Sequence, residues 1–215
     1  MLMLVVLTIL AVVSAAIHIR AEYGGRRRGV YVFKPLTVAF IITIALWSQS
    51  SVYKYLIVAG LLFSLFGDIF LMLPSDRFIA GLFSFLVAHI FYIAAFTLDG
   101  ATGRRSFPAA IALLAYGALM LRLLFPFLGR MKAPVIIYML VILLMVWQAA
   151  NRFMSLETTA GLTALAGACL FAASDSLLAL NRFRRPFGSA QLLILATYYS
   201  SQWLIALSVS LRARG

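Results

Sequence analysis

The chain has 215 residues, 64% hydrophobic and 11% charged, with a formal net charge of +12 and a mean hydropathy of +1.04. Apolarity on this scale excludes a water-soluble domain and predicts an all-α integral membrane protein, because a backbone in lipid must satisfy its hydrogen bonds within its own segment. The basic excess falls in short clusters at the ends of apolar runs, with no stacking platform; nucleic acid is set aside as a partner in favour of membrane topology and anionic lipid head groups.

Nearly uncharged runs cover residues 1–17, 35–53, 55–73, 78–98, 106–128, 133–151, 158–180 and 187–211, each near the ~20 residues a spanning helix needs. They are too long and too evenly apolar for alternating barrel strands. Eight transmembrane helices in a single transmembrane domain over residues 1–215 are predicted.

The first run, MLMLVVLTILAVVSAA, ends in small residues as a signal peptide does but lacks a basic n-region, so it is read as a retained helix. The second opens at Lys34-Pro35, where the lysine either holds a phosphodiester or snorkels to the interface. The third, in FSLFGDIFLML, carries Asp68 inside apolar sequence; Asp76 follows in LPSDRF, read as a solvated loop residue. In the fourth, His89 and Tyr92 are three apart and share a face. His89 relays a proton, binds phosphate or makes an interhelical bond; Tyr92, like Tyr138 in the sixth, contacts a site or packs.

The seventh run holds Cys169, read as a core residue with no disulfide partner in the chain, and then Ser174 and Asp175 in LFAASDSLLAL. A serine nucleophile beside Asp175 is disfavoured because adjacent helical residues point apart. Asn181, Arg182 and Pro186 border the same mouth; the alternatives are that Asn181 caps the helix and Arg182 serves topology. In the eighth, ATYYSSQW spaces Tyr198, Tyr199 and Gln202 as a polar stripe, which is costly against lipid.

Basic residues set the expected orientation. Arg20, Arg26, Arg27, Arg28, Lys34, Arg77, Arg130, Lys132, Arg182, Arg184 and Arg185 lie on one side, against Lys54, Arg104, Arg105, Arg152, Arg212 and Arg214 on the other. The first set belongs in the cytoplasm, both termini outside, and Asp68 and Asp175 toward the cytoplasmic side. GDIFLML at 67–73 also resembles SDSLLAL at 174–180, and Lys34-Pro35 resembles Lys132-Ala133-Pro134. These short matches suggest a four-plus-four parallel repeat with halves 1–105 and 106–215, which would bring the two acids together.

An intramembrane carboxyl marks a functional site by default. Two in one poorly solvated cleft cannot both ionise cheaply, so one acts as general acid while the other steadies a cation or activates water. The alternative is that each merely bonds neighbouring helices. Three spaced residues, His18, His89 and Cys169, make a poor zinc set, and no GxSxG, HExxH, phosphate-loop or dinucleotide motif is present. No metal and no cofactor is expected.

Gly67-Asp68 through Gly81, His89 and Phe91-Tyr92, and SDSLLALNRFRRP followed by TYYSSQWLIALS, resemble the YhhN family of eight-helix membrane proteins, which includes lysoplasmalogenases. The most specific part is Ser174-Asp175, Ala179-Leu180-Asn181, Phe183, Pro186, Thr197-Tyr198-Tyr199 and Gln202. The resemblance implies metal-independent hydrolysis of the vinyl ether of a lysoplasmalogen, a lysophospholipid, to a fatty aldehyde and glycerophosphoethanolamine or glycerophosphocholine. Asp68 and Asp175 would share the acid and anion roles, with Lys34, His89, Tyr92, Ser174, Asn181, Tyr198, Tyr199 and Gln202 around head group or water. The competing class is a small proton-coupled transporter or lipid-binding protein, and a third is a structural or regulatory membrane protein.

Overall fold

The computed structural model describes residues 2–99 and 106–212; Arg104, Arg105 and Arg214 from the orientation count lie outside them. Eight α-helices are described: α1 (Leu2–Tyr23), α2 (Arg27–Leu46), α3 (Val52–Met72), α4 (Phe78–Asp99), α5 (Phe107–Leu124), α6 (Lys132–Leu156), α7 (Thr159–Ala179) and α8 (Ala190–Arg212). Two 3-10 turns separate α5 from α6, and a π-helical turn, Leu180–Arg184, continues α7. Counting these turns with the helices they extend, all eight spans are long and apolar enough to cross a membrane. Large apolar side chains such as Leu2, Ile79, Ile111 and Leu114 point outward, as a lipid-facing surface requires.

Hydroxyl side chains start three helices at one end of the bundle. Ser51 Oγ accepts from Lys54 N at 3.1 Å, Ser106 Oγ from Ala109 N at 3.2 Å and Thr158 Oγ1 from Gly161 N at 3.2 Å, each satisfying a donor of the first turn. At the other end Gly25 turns α1 into α2 with φ of +63°, a conformation a side chain would strain.

Three local expectations are corrected. α2 begins at Arg27 rather than at residue 35, because Pro35 removes only one backbone donor and the preceding arginines are compatible with a helix. Lys34 is therefore buried within α2 rather than placed at its mouth. α6 runs on through Leu156 and draws in Arg152, which is fully buried. Its Nε and Nη2 lie 2.8 and 2.7 Å from Asp99 Oδ2, while Arg212 Nε lies 2.6 Å from Oδ1. What reads as an interfacial charge is part of an internal ion cluster, the form in which lipid-embedded charge is tolerated. Cys169 is exposed on the lipid side of α7 rather than in the core; Ala164, Gly167, Ala168 and Phe171 form the buried face.

Between helices in lipid, close packing supplies most of the association. α3 lies along α4, α7 along α8 and α1 along α2; α6 joins α4 and α7, α8 touches α1, α2 and α3, and α5 packs on α6 at the rim. Glycines set the α3–α4 approach: a Cβ on Gly60 would lie 2.3 Å from Tyr92 Cε1, and one on Gly67 would lie 2.6 Å from Phe85 Cε2. α2 meets α8 as α6 meets α4, but such neighbour order does not establish the four-plus-four repeat.

Candidate active site

Residues from α1, α2, α3, α4, α7 and α8 line a cavity of about 430 Å³ at the end of the bundle that holds the α1–α2 and α3–α4 turns. Asp68, Asp175, Lys34, Ser174, Asn181 and Tyr198 contribute to its wall, together with Glu22, Arg182 and Gln191. Six residues singled out by sequence thus share one space.

The two acids differ in their partners. Asp68, 3% exposed, comes from the last turns of α3 beside Gly67, where the tight α3–α4 packing fixes its height. Its Oδ1 lies 3.2 Å from Lys34 Nζ, and its Oδ2 accepts from Tyr198 Oη at 2.7 Å. A buried lysine persists in such a place because it has an acid to pair with. Asp175, on α7, accepts on Oδ2 from Tyr138 Oη of α6, and among the described residues no cation pairs with it.

Asp175 also borders a narrow apolar slot of about 70 Å³ whose walls include Leu82, Met120, Met139 and Ile142. Leu71, Phe78, Phe85 and Leu178 belong to both spaces, so the polar cavity and the apolar slot meet at Asp175. Tyr116 and Ser176 hydroxyls, 2.5 Å apart, tie α5 to α7 beside the slot.

Other sequence candidates fall elsewhere. Tyr92 Oη donates to Gln202 Oε1 at 2.8 Å, both fully buried behind the cavity. His89, also fully buried, meets the rings of Tyr138 and Phe171 at centroid distances of 5.2 and 4.6 Å. It therefore backs the tyrosine that holds Asp175, and neither of its nitrogens has a partner among the described residues. Tyr199 faces away: its hydroxyl pairs with His18 Nδ1 at 2.8 Å, and His18 Nε2 lies 3.5 Å from Glu22 on the cavity wall. Ser174 Oγ donates to Ile194 O of α8 at 3.0 Å, and Asn181 Oδ1 accepts from Phe187 N at 3.2 Å.

Asp76 is an exposed loop residue, yet it is partnered: Arg182 Nη2 donates to both of its oxygens, at 2.8 and 3.1 Å. The hydrogen bond and then the charge of that guanidinium hold the Asp76 carboxyl below the usual carboxylate range. Sequence reasoning missed Glu22 and the Asp175 contact of Tyr138, whereas Arg182, read as bordering the mouth, does line the cavity. His18 and Glu22 are four apart on one helical face and gave a usable signal; Tyr138 reaches Asp175 from another helix and gave none. No three His, Cys, Asp or Glu side chains gather into a metal-ligating group among the described residues.

A family model described as the YhhN family matches residues 29–209. The uncharacterized membrane protein YhhN of Escherichia coli O157:H7 is 30% identical over 200 residues, covering 92% of this chain and 95% of that one. Human lysoplasmalogenase TMEM86B is 34% identical over 165 residues, 76% of this chain and 68% of that one. Human lysoplasmalogenase TMEM86A is 36% identical over 157 residues, 71% and 64% respectively. No solved structure matches the chain. The matched span takes in every helix that lines the cavity except α1, and the chain belongs to the YhhN family.

Proposed function

We propose that this protein hydrolyses the vinyl ether bond of a lysoplasmalogen, using Asp175 as the proton donor and Asp68 as the anion. The observation that carries the reading is the meeting of a polar cavity and an apolar slot at Asp175, with a second, differently partnered acid on the same wall. The vinyl group lies where hydrocarbon chain joins glycerol, so a lipid with the first carbons of its chain in the slot, the rest between helices, and its head group in the cavity presents that bond to Asp175. Asp68 is matched by Lys34 and serves as the ionised partner; Asp175 has no such cation, and a buried carboxyl without one is carried most cheaply in neutral form.

The reaction follows from these roles. Asp175 delivers its proton to the vinyl carbon remote from the ether oxygen, the one that carries the alkyl chain, leaving an oxocarbenium ion that the Asp68 carboxylate steadies. Water adds to the cationic carbon and gives up a proton to the Asp175 carboxylate, which restores the acid. The hemiacetal then collapses to fatty aldehyde and the free glycerol hydroxyl. Tyr138 orients Asp175 and Tyr198 orients Asp68.

Proton-coupled transport needs a path through the opposite end. There Asp99, Arg152 and Arg212 form the internal ion cluster, and Tyr53 Oη pairs with Ser208 Oγ at 2.7 Å, a cross-linked closure that favours one-sided access. The test is fatty aldehyde release from a lysoplasmalogen by purified protein in chelator. Wild type is expected to release it, and Asp175→Asn to lose about 10²–10⁴ in kcat, the range of a general acid. No aldehyde from folded wild type with either ethanolamine or choline head groups would overturn the assignment.

A further inference from the structure

The phosphodiester of such a lipid is an anion and needs a cation in the cavity. Two cations line that wall, Lys34 and Arg182. Lys34 is committed to Asp68 at 3.2 Å. Among the described residues Arg182 pairs only with Asp76, outside the cavity, through side chains that are 38% and 71% exposed. An exposed ion pair of this kind is worth little and exchanges readily. The Arg182 guanidinium also lies over the Phe78 ring, 3.9 Å from its centre, which keeps it at the mouth whichever anion it holds.

Spacing agrees. Arg182 follows Asp175 by seven residues along α7 and its π-helical continuation, about 10 Å along the axis, and both line the same cavity. From the protonated vinyl carbon to phosphorus an extended lysolipid spans roughly seven bonds, or about 8 Å at extended-chain rise. With the vinyl ether at Asp175, the phosphate reaches the guanidinium.

Resting on the hydrolase reading, we propose that Arg182 is the receptor for the substrate's phosphate and that Asp76 is a built-in competitor, an acid that occupies the guanidinium until a phosphodiester displaces it. Arg182 is thereby a specificity residue rather than a catalytic one, and the pair restricts the site to lipids with an anionic head group. A fork of donors suits phosphate better than a point charge does.

The test compares binding of two non-cleavable lipids, a 1-alkyl-glycerophosphoethanolamine and the 1-alkylglycerol lacking phosphate, to purified wild type, Arg182→Gln, Arg182→Lys and Asp76→Asn. Wild type should prefer the phosphate compound. Arg182→Gln should lose about tenfold in affinity for it and none for the alkylglycerol, which also reports that the variant is folded. Arg182→Lys should recover part of the loss, and Asp76→Asn should bind the phosphate compound more tightly than wild type. Preference surviving Arg182→Gln, or Asp76→Asn weakening phosphate binding as Arg182→Gln does, overturns the proposal. Intact phosphate preference with no aldehyde release in the separate assay would instead remove the hydrolase reading and leave the phosphate receptor standing.

Discussion

At the level of single residues, the division between the acids rests on Lys34. Removing only that partner, by Lys34→Met, strands a buried carboxylate and should lower stability by about 3–5 kcal/mol. Adding Asp68→Asn should recover much of the loss, which a double-mutant cycle of thermal denaturation in detergent would register. Additive effects would mean that the two do not interact in the folded protein. Tyr138→Phe removes the only hydrogen bond Asp175 makes to a side chain among the described residues; it should lower kcat about tenfold with KM little changed, since it removes the hydroxyl that positions the acid and keeps the ring that lines the slot. The acids themselves were legible in sequence because a charge inside apolar residues stands out at once. Their partners were not, because Lys34 reads as interfacial beside Arg26, Arg27 and Arg28, and nothing along the chain ties Tyr138 to a residue on the next helix. Tyr199 shows the converse: its spacing from Gln202 put it on a polar stripe, but that stripe is wide enough for Tyr198 to face Asp68 while Tyr199 faces His18.

Among elements, the eight spans were legible because lipid imposes one rule on each of them, a length of apolar residues with its hydrogen bonds closed internally. What hydropathy cannot reveal is where a charged stretch stays helical, hence the early start of α2 and the late end of α6. The latter matters because it carries Arg152 to Asp99. Asp99→Asn should destabilise the protein by about 3–5 kcal/mol by leaving that guanidinium unmatched. Phosphate preference and aldehyde release per folded molecule should be unchanged, since the cluster lies at the far end from the cavity; a selective loss of activity at full stability would contradict the separation. α3 and α4 meet through Gly60, where even a methyl group would strike the Tyr92 ring. Overpacking of this sort costs about 1–3 kcal/mol.

For the molecule as a whole, burial sharpens the charge asymmetry between its ends. Lys34 and Arg152 leave the tally as internal partners, and among the described residues every exposed arginine except Arg212 lies at the end where the cavity opens. That end is expected to face the cytoplasm. In a Cys169→Ala background, an impermeant thiol reagent added to intact cells should label Ser50→Cys and spare Arg28→Cys; the reverse pattern would invert the orientation. The pairing of the acids bears also on how the chain enters the bilayer. A lone charge at mid-membrane costs about 2.5–3.5 kcal/mol on insertion scales. Asp68 lies on α3 and its lysine on α2; Asp175 lies on α7 and its tyrosine on α6. Each acid therefore has a polar companion on the helix synthesised just before its own, so a hairpin delivered from the ribosome carries acid and companion into lipid together, and neither carboxyl has to wait unescorted for α8.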